Sequence, residues 1–157
     1  ESATSIVFDM RKHTKRKYVP KGDGLIAIHS SQPFSEAAKT ELKTKVWMAW
    51  AAFKAGSAKH DDFDLLAATA NVSLIRAEAI GQQAIELCKD AQSALMDIRE
   101  RHDRLGKFGI DAKSLDTLPD LLDFYCELID NSTPRQMAEA VEVAFQRLNK
   151  QIFFKKD

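Results

Sequence analysis

Two cysteines in 157 residues are too few for a disulfide framework or a zinc site. Cys88 and Cys126 both fall in apolar helical patterns, so reduced interior thiols are expected, and with them a reducing compartment, the cytoplasm. Long apolar runs are missing as well. No stretch approaches the ~18 residues needed to cross a bilayer, and the N-terminus lacks the basic-then-apolar order of a secretory signal. Net charge is absent, since Lys plus Arg and Asp plus Glu number 23 each. That weakens the case for a polyanion-binding protein, because the field of the body opposes any local basic patch. The chain also lacks a glycine-rich phosphate loop, a His-Glu-x-x-His helix, a paired-cysteine motif and a serine elbow, which removes the commonest enzyme templates.

What is present is a helical seam. Phe63, Ala67, Ala70, Leu74, Ala77, Gly81, Ala84, Cys88, Ala91, Leu95, Ile98, His102 and Leu105 recur at alternating steps of four and three. A strand repeats every two residues, so only a helical backbone keeps these side chains on one face. Most members are small, which lets neighbouring helices approach closely. Unbroken, the run would reach ~65 Å, too long for a domain of this size. Near-collinear segments with a kink or short break at residues 80–82 are therefore expected.

The flanking signals complete an all-α bundle of four or five helices over residues 35–154, preceded by an irregular basic arm over residues 1–34. With 45% hydrophobic content, one domain suffices. Ser35 and Gly56 bracket a helix of about 20 residues whose face carries Leu42, Val46, Trp50 and Phe53, with Trp47 widening it. Asp61, Asp62 and Asp64 suit the start of the next. A further helix is expected from about Leu118, with Pro119 in its first turn, to Asn131. Thr133-Pro134-Arg135-Gln136 is the sharpest local signal: Thr at the N-cap, Pro at the first helical position and Gln placed to close a capping box. Met137, Val141, Phe145, Leu148 and Ile152 follow as its buried face. Phe153 and Phe154 come last, either capping the core, which is the expectation, or standing exposed as a partner-binding site.

The arm holds the strongest charge asymmetry. Residues 1–22 contain six basic and two acidic side chains, and five of the seven residues 11–17 are Lys or Arg. Arg11, Lys12, Lys15, Arg16, Lys17 and Tyr18 form a candidate nucleic-acid contact, with phosphate binding by counterion release and a base stacked on Tyr18. The simpler reading is a solvated arm. Residues 1–9 read as an addition ahead of a natural start at Met10, the alternative being an ordered native segment. Leu25-Ile26-Ala27-Ile28 is expected to lie as extended chain across the helices, since a single strand has no partner.

One metal-type constellation can be assembled: His29, His60-Asp61 and Asp123 or Asp130 mimic the ligand order of helical His-Asp phosphohydrolases, and His102-Asp103 repeats the pair. Helix capping explains His60-Asp61 more simply, so no metal and no cofactor are expected. Cys88 on the seam reads as a packing residue.

Met10-Arg11-Lys12 leading to Lys17-Tyr18-Val19-Pro20-Lys21-Gly22, then Gly56-Ser57-Ala58 before Asp61-Asp62-Phe63-Asp64, Ala70-Asn71, and Ala91-Gln92-Ser93-Ala94-Leu95 give the chain its likeness to a known group. From Met10 to Lys150 it resembles small uncharacterised proteins encoded in phage and prophage regions of proteobacterial genomes. The resemblance implies an accessory protein in the cytoplasm of a bacterial host cell, acting by binding a host protein, and no enzymatic activity. Weak non-specific nucleic-acid binding through the arm is the alternative, and a metal-dependent phosphohydrolase a distant third.

Overall fold

The structure, a computed structural model, describes residues 31–150, and there the chain folds as five α-helices with no strand among the described residues. Helix α1 spans Glu36–Lys54, α2 His60–Glu78, α3 Gln82–Leu105, α4 Ala112–Asn131 and α5 Pro134–Asn149. The basic cluster from Arg11 to Tyr18, His29, the segment Leu25 to Ile28, and Phe153 and Phe154 lie outside the described residues.

Local chemistry sets the boundaries. Ser35 caps α1 by accepting a hydrogen bond from the Ala38 N–H at 3.2 Å, and Gly56, at φ +74°, follows its end. At the start of α2, Asp62 reaches back to accept the Lys59 N–H at 2.9 Å. Helix α3 stops at Gly106, φ +78°, whose N–H returns to the His102 carbonyl. Thr133 and Gln136 close the expected capping box on α5, with Pro134 at the first helical position.

The sequence pattern misplaces the start of α4. That helix begins six residues earlier than Leu118, because Asp111 accepts both the Ser114 N–H and the Ser114 hydroxyl, at 2.8 and 2.7 Å. Pro119 therefore sits inside the helix and removes one hydrogen bond to the preceding turn. The residues of that turn, Leu115 and Asp116, are exposed to water.

The long seam does break where expected, but its two halves are not collinear. Ala79–Gly81 forms a turn in which Gly81 takes φ +152°, and α3 runs back along α2. A buried hydrogen bond from the Gln92 side chain to Asn71, 21 residues apart in sequence, pins the register of this antiparallel pair at 2.9 Å. Most seam members consequently face one another across the hairpin, but Leu105 at the end of α3 is 58% exposed and takes no part in the core. Ala70, Leu74, Ala77, Cys88, Ala91, Leu95 and Ile98 are all buried.

Helix α2 touches each of the other four helices, which accounts for its composition. Its six consecutive residues Thr69 to Leu74 are buried, so almost no face of that stretch meets water. Such a helix needs small or apolar side chains all round, and its polar groups must be satisfied locally. Thr69 donates to the Leu65 carbonyl at 2.7 Å and Asn71 accepts from Gln92, whereas the fully buried Ser73 hydroxyl has no hydrogen-bond partner among the described residues. Trp50 and Phe53 from α1 and Leu118, Leu121 and Leu122 from α4 complete the core.

Candidate binding groove

Helix α5 crosses α2 near the latter's C-terminal end. Arg147 donates to Glu78 through its two terminal guanidinium nitrogens, the Nη2 bond measuring 2.7 Å, and Arg76 donates to Ser132 just ahead of α5. Among the described residues, the face of α2 and α3 that carries Ala67, Ala68 and Met96 is left partly open beside this crossing. A groove of about 450 Å³ opens there. Its floor is Phe63, Ala67, Ala68 and Val72 of α2 with Met96 of α3, and its near wall is Ala144, Phe145 and Leu148 from the last turns of α5. The small side chains of Ala67 and Ala68, where the helix is half-buried, are what make the surface concave.

Charge is distributed unevenly along this groove. Asp64, Glu100 and Asp103 stand on its lining, and Arg99 lies at the same end as Asp64 and acts on its charge. Burial pushes the Asp64 carboxyl above the usual carboxylate range, and the charge of Asp61 adds to the shift, with His60 and Arg99 opposing it. A carboxyl in this condition gains from a cation brought beside it, because the cation restores part of the stabilisation that water supplied.

Next to the acidic end lies an aromatic cluster. Phe108 stacks on His102 at 4.0 Å and on Phe63 at 5.4 Å between ring centroids, and meets Phe53 and His60 edge-on at 5.7 and 5.3 Å. The His60 and His102 rings are 4.8 Å apart. Hairpin reversal thus brings the two His-Asp dipeptides to one end of the molecule. Phe108 carries no periodic signal, being in the short linker after Gly106. Two apolar residues, Phe108 and Ile110, flanking a glycine in an otherwise polar stretch were its one trace in the sequence.

The remaining candidates are scattered. Lys43 takes up Asp130 in an ion pair at 2.6 Å, which holds that carboxyl below its ordinary range, and Asp123 is exposed on α4. Among the described residues no group of three or more His, Cys, Asp or Glu side chains is placed to hold a metal ion. Cys88 is fully buried, and burial pushes its thiol up to about 12, so it packs as a neutral side chain. No described helix is long and apolar enough to cross a membrane.

What this arrangement does chemically is offer an apolar trough with a cation-attracting end. The residues that matter most, Ala68, Met96, Phe145 and Asp103, come from three helices and share no motif. No protein-family model, curated protein or solved structure matches the chain.

Proposed function

We propose that the protein is a non-enzymatic interaction factor that holds an amphipathic, basic segment of a partner protein in the α2–α3–α5 groove. The observation that carries this reading is the pairing of an apolar floor with an acidic end in one concavity. Helix-in-groove recognition uses that combination: apolar anchors supply affinity and flanking charge sets orientation and encounter rate. The resemblance to small phage and prophage proteins supplies the setting, in which the partner is a host protein of a bacterial cytoplasm.

Capture from a bacterial lysate on the immobilised chain, with and without nuclease, tests this when paired with Ala68→Arg. That substitution puts a long cationic side chain into the trough at a half-buried helical position. The expected result is a protein retained by the wild-type chain after nuclease and lost from the variant, with the melting temperatures of the two chains alike. Equal capture by both refutes the groove. Loss of all captured material on nuclease moves the partner to nucleic acid and the site to the basic arm.

A further inference from the structure

We propose that Asn71 is the specificity-determining contact of the groove, recognising a side-chain carboxamide, that of a glutamine, set among the apolar anchors of a basic partner helix. This rests on reading the groove as a helix-binding site and adds which residue fixes the register of the occupant.

Burial and bonding together single out Asn71. It is 6% exposed, in the stretch of α2 that is buried on nearly every side, yet it lines the groove beside Val72. Its Oδ1 accepts the Gln92 Nε2–H at 2.9 Å, which leaves Nδ2 as the unused end of the carboxamide. Among the described residues Nδ2 has no hydrogen-bond partner, and it is not sealed into the core as the Ser73 hydroxyl is. Pinning α2 to α3 needs only the Oδ1 acceptor, so the fold does not account for the donor end. Two N–H donors therefore open onto a surface otherwise made of Phe63, Ala67, Ala68, Val72 and Met96. A wholly apolar occupant laid over them would deprive them of water and give nothing back, a loss of about tenfold or more in affinity.

The chemistry of the occupant follows from what can answer this group. Backbone carbonyls inside a helix already accept from the N–H four residues on, so the acceptor comes from a side chain. Asp64, Glu100 and Asp103 outnumber Arg99 on the lining, which disfavours a carboxylate there and favours Lys or Arg on the flanks of the occupant. A carboxamide matches both ends of Asn71, because it accepts from Nδ2 and returns its own N–H to the second lone pair of Oδ1. Glutamine suits a helix better than asparagine, whose shorter side chain competes for its own backbone. One polar pair inside an apolar contact sets register and partner choice, as a buried asparagine does in a coiled coil.

Two synthetic Leu/Lys peptides of about 18 residues, long enough to span the groove as a helix and identical except for glutamine or leucine at the centre of the apolar face, test this. The first measurement follows the Asn71 side-chain amide resonances in the isotope-labelled full chain. They should move when the glutamine peptide binds, and their exchange with water should slow. Resonances that stay in place while that peptide binds overturn the proposal. The second measurement is a cycle against Asn71→Leu/Gln92→Leu, which removes both buried polar partners together and leaves apolar groups in their place. The preference for the glutamine peptide over the leucine peptide should fall about tenfold from the wild-type chain to the double variant. A preference changed by less than about twofold overturns the role of Asn71 and keeps the groove as a binding site. If the double variant does not fold, the Asn71 resonances of the wild-type chain decide alone. Failure of both peptides to bind the wild-type chain refutes the groove reading itself, and the role of Asn71 with it.

Discussion

Asp64 shows how one side chain links stability to binding. Its carboxyl titrates above the ordinary carboxylate range, so in the folded chain it retains a proton that the unfolded chain has already released. Between about pH 4, the unperturbed value, and its raised pKa, the native state therefore binds more protons, and its contribution to stability declines as pH rises through that window. Asp64→Asn should abolish this part of the slope, read as the difference between the urea midpoints of the two chains across the window. An unchanged slope would mean that Asp64 is solvated. Binding of a basic segment has the opposite pH dependence, strengthening as Asp64 ionises. At the same scale Leu95, fully buried in the hairpin, should cost about 2–5 kcal/mol on truncation to Ala, measured by denaturant unfolding. A loss below about 0.5 kcal/mol would place it at the surface.

The elements show why the seam was legible and its path was not. A 3.5-residue repeat specifies which face is buried, and Ala70, Leu74, Cys88, Ala91 and Leu95 lie on that face as expected. It contains no information on direction, because a helix that continues and a helix that folds back present the same residues to a core. Gly81 marked the break. Its φ of +152° with extended ψ is a conformation that residues with a Cβ rarely adopt, and a Cβ built there meets nothing within 4 Å. Gly81→Ala should thus cost about 1–3 kcal/mol through the backbone alone, measured by thermal or urea unfolding. A neutral substitution would contradict the tight reversal. The early start of α4 was hidden for a different reason. Asp111 and Ser114 are a capping pair in a polar stretch, and Leu115, one helical step ahead of Leu118, is exposed rather than buried. The groove was illegible because it exists only where, among the described residues, the face of α2 and α3 is left partly open beside α5, which depends on the angle of crossing. Phe108 belongs to the same class: its neighbours His102 and Phe63 are brought to it by the reversal.

For the whole molecule, charge separates two modes of association. The groove draws on local acidic groups in a partly desolvated trough, whereas the five Lys and Arg side chains of residues 11–17 would act on a polyanion through released counterions. If the arm binds duplex DNA, log affinity should fall against log salt with a slope of about −4, and deletion of residues 1–17 should abolish binding while the five helices persist. Filter binding decides this, and binding that survives the deletion would put the site on the helices.

Both the groove and the aromatic cluster depend on one claim, that the chain turns back at Gly81 and sets the start of α2 beside the end of α3. With α2 and α3 collinear, His60 and His102 would stand ~63 Å apart. Folded back, their ring centroids are 4.8 Å apart, and Phe108 lies within 5.3 Å of both. A nuclear Overhauser spectrum of the full chain with labelled aromatic rings is the most direct measurement. Cross-peaks from the His60 ring to the His102 and Phe108 rings are the expected result. Their absence, together with helical cross-peaks running without interruption from Ala77 through Gly81 to Ile85, would contradict the fold and remove the groove with it.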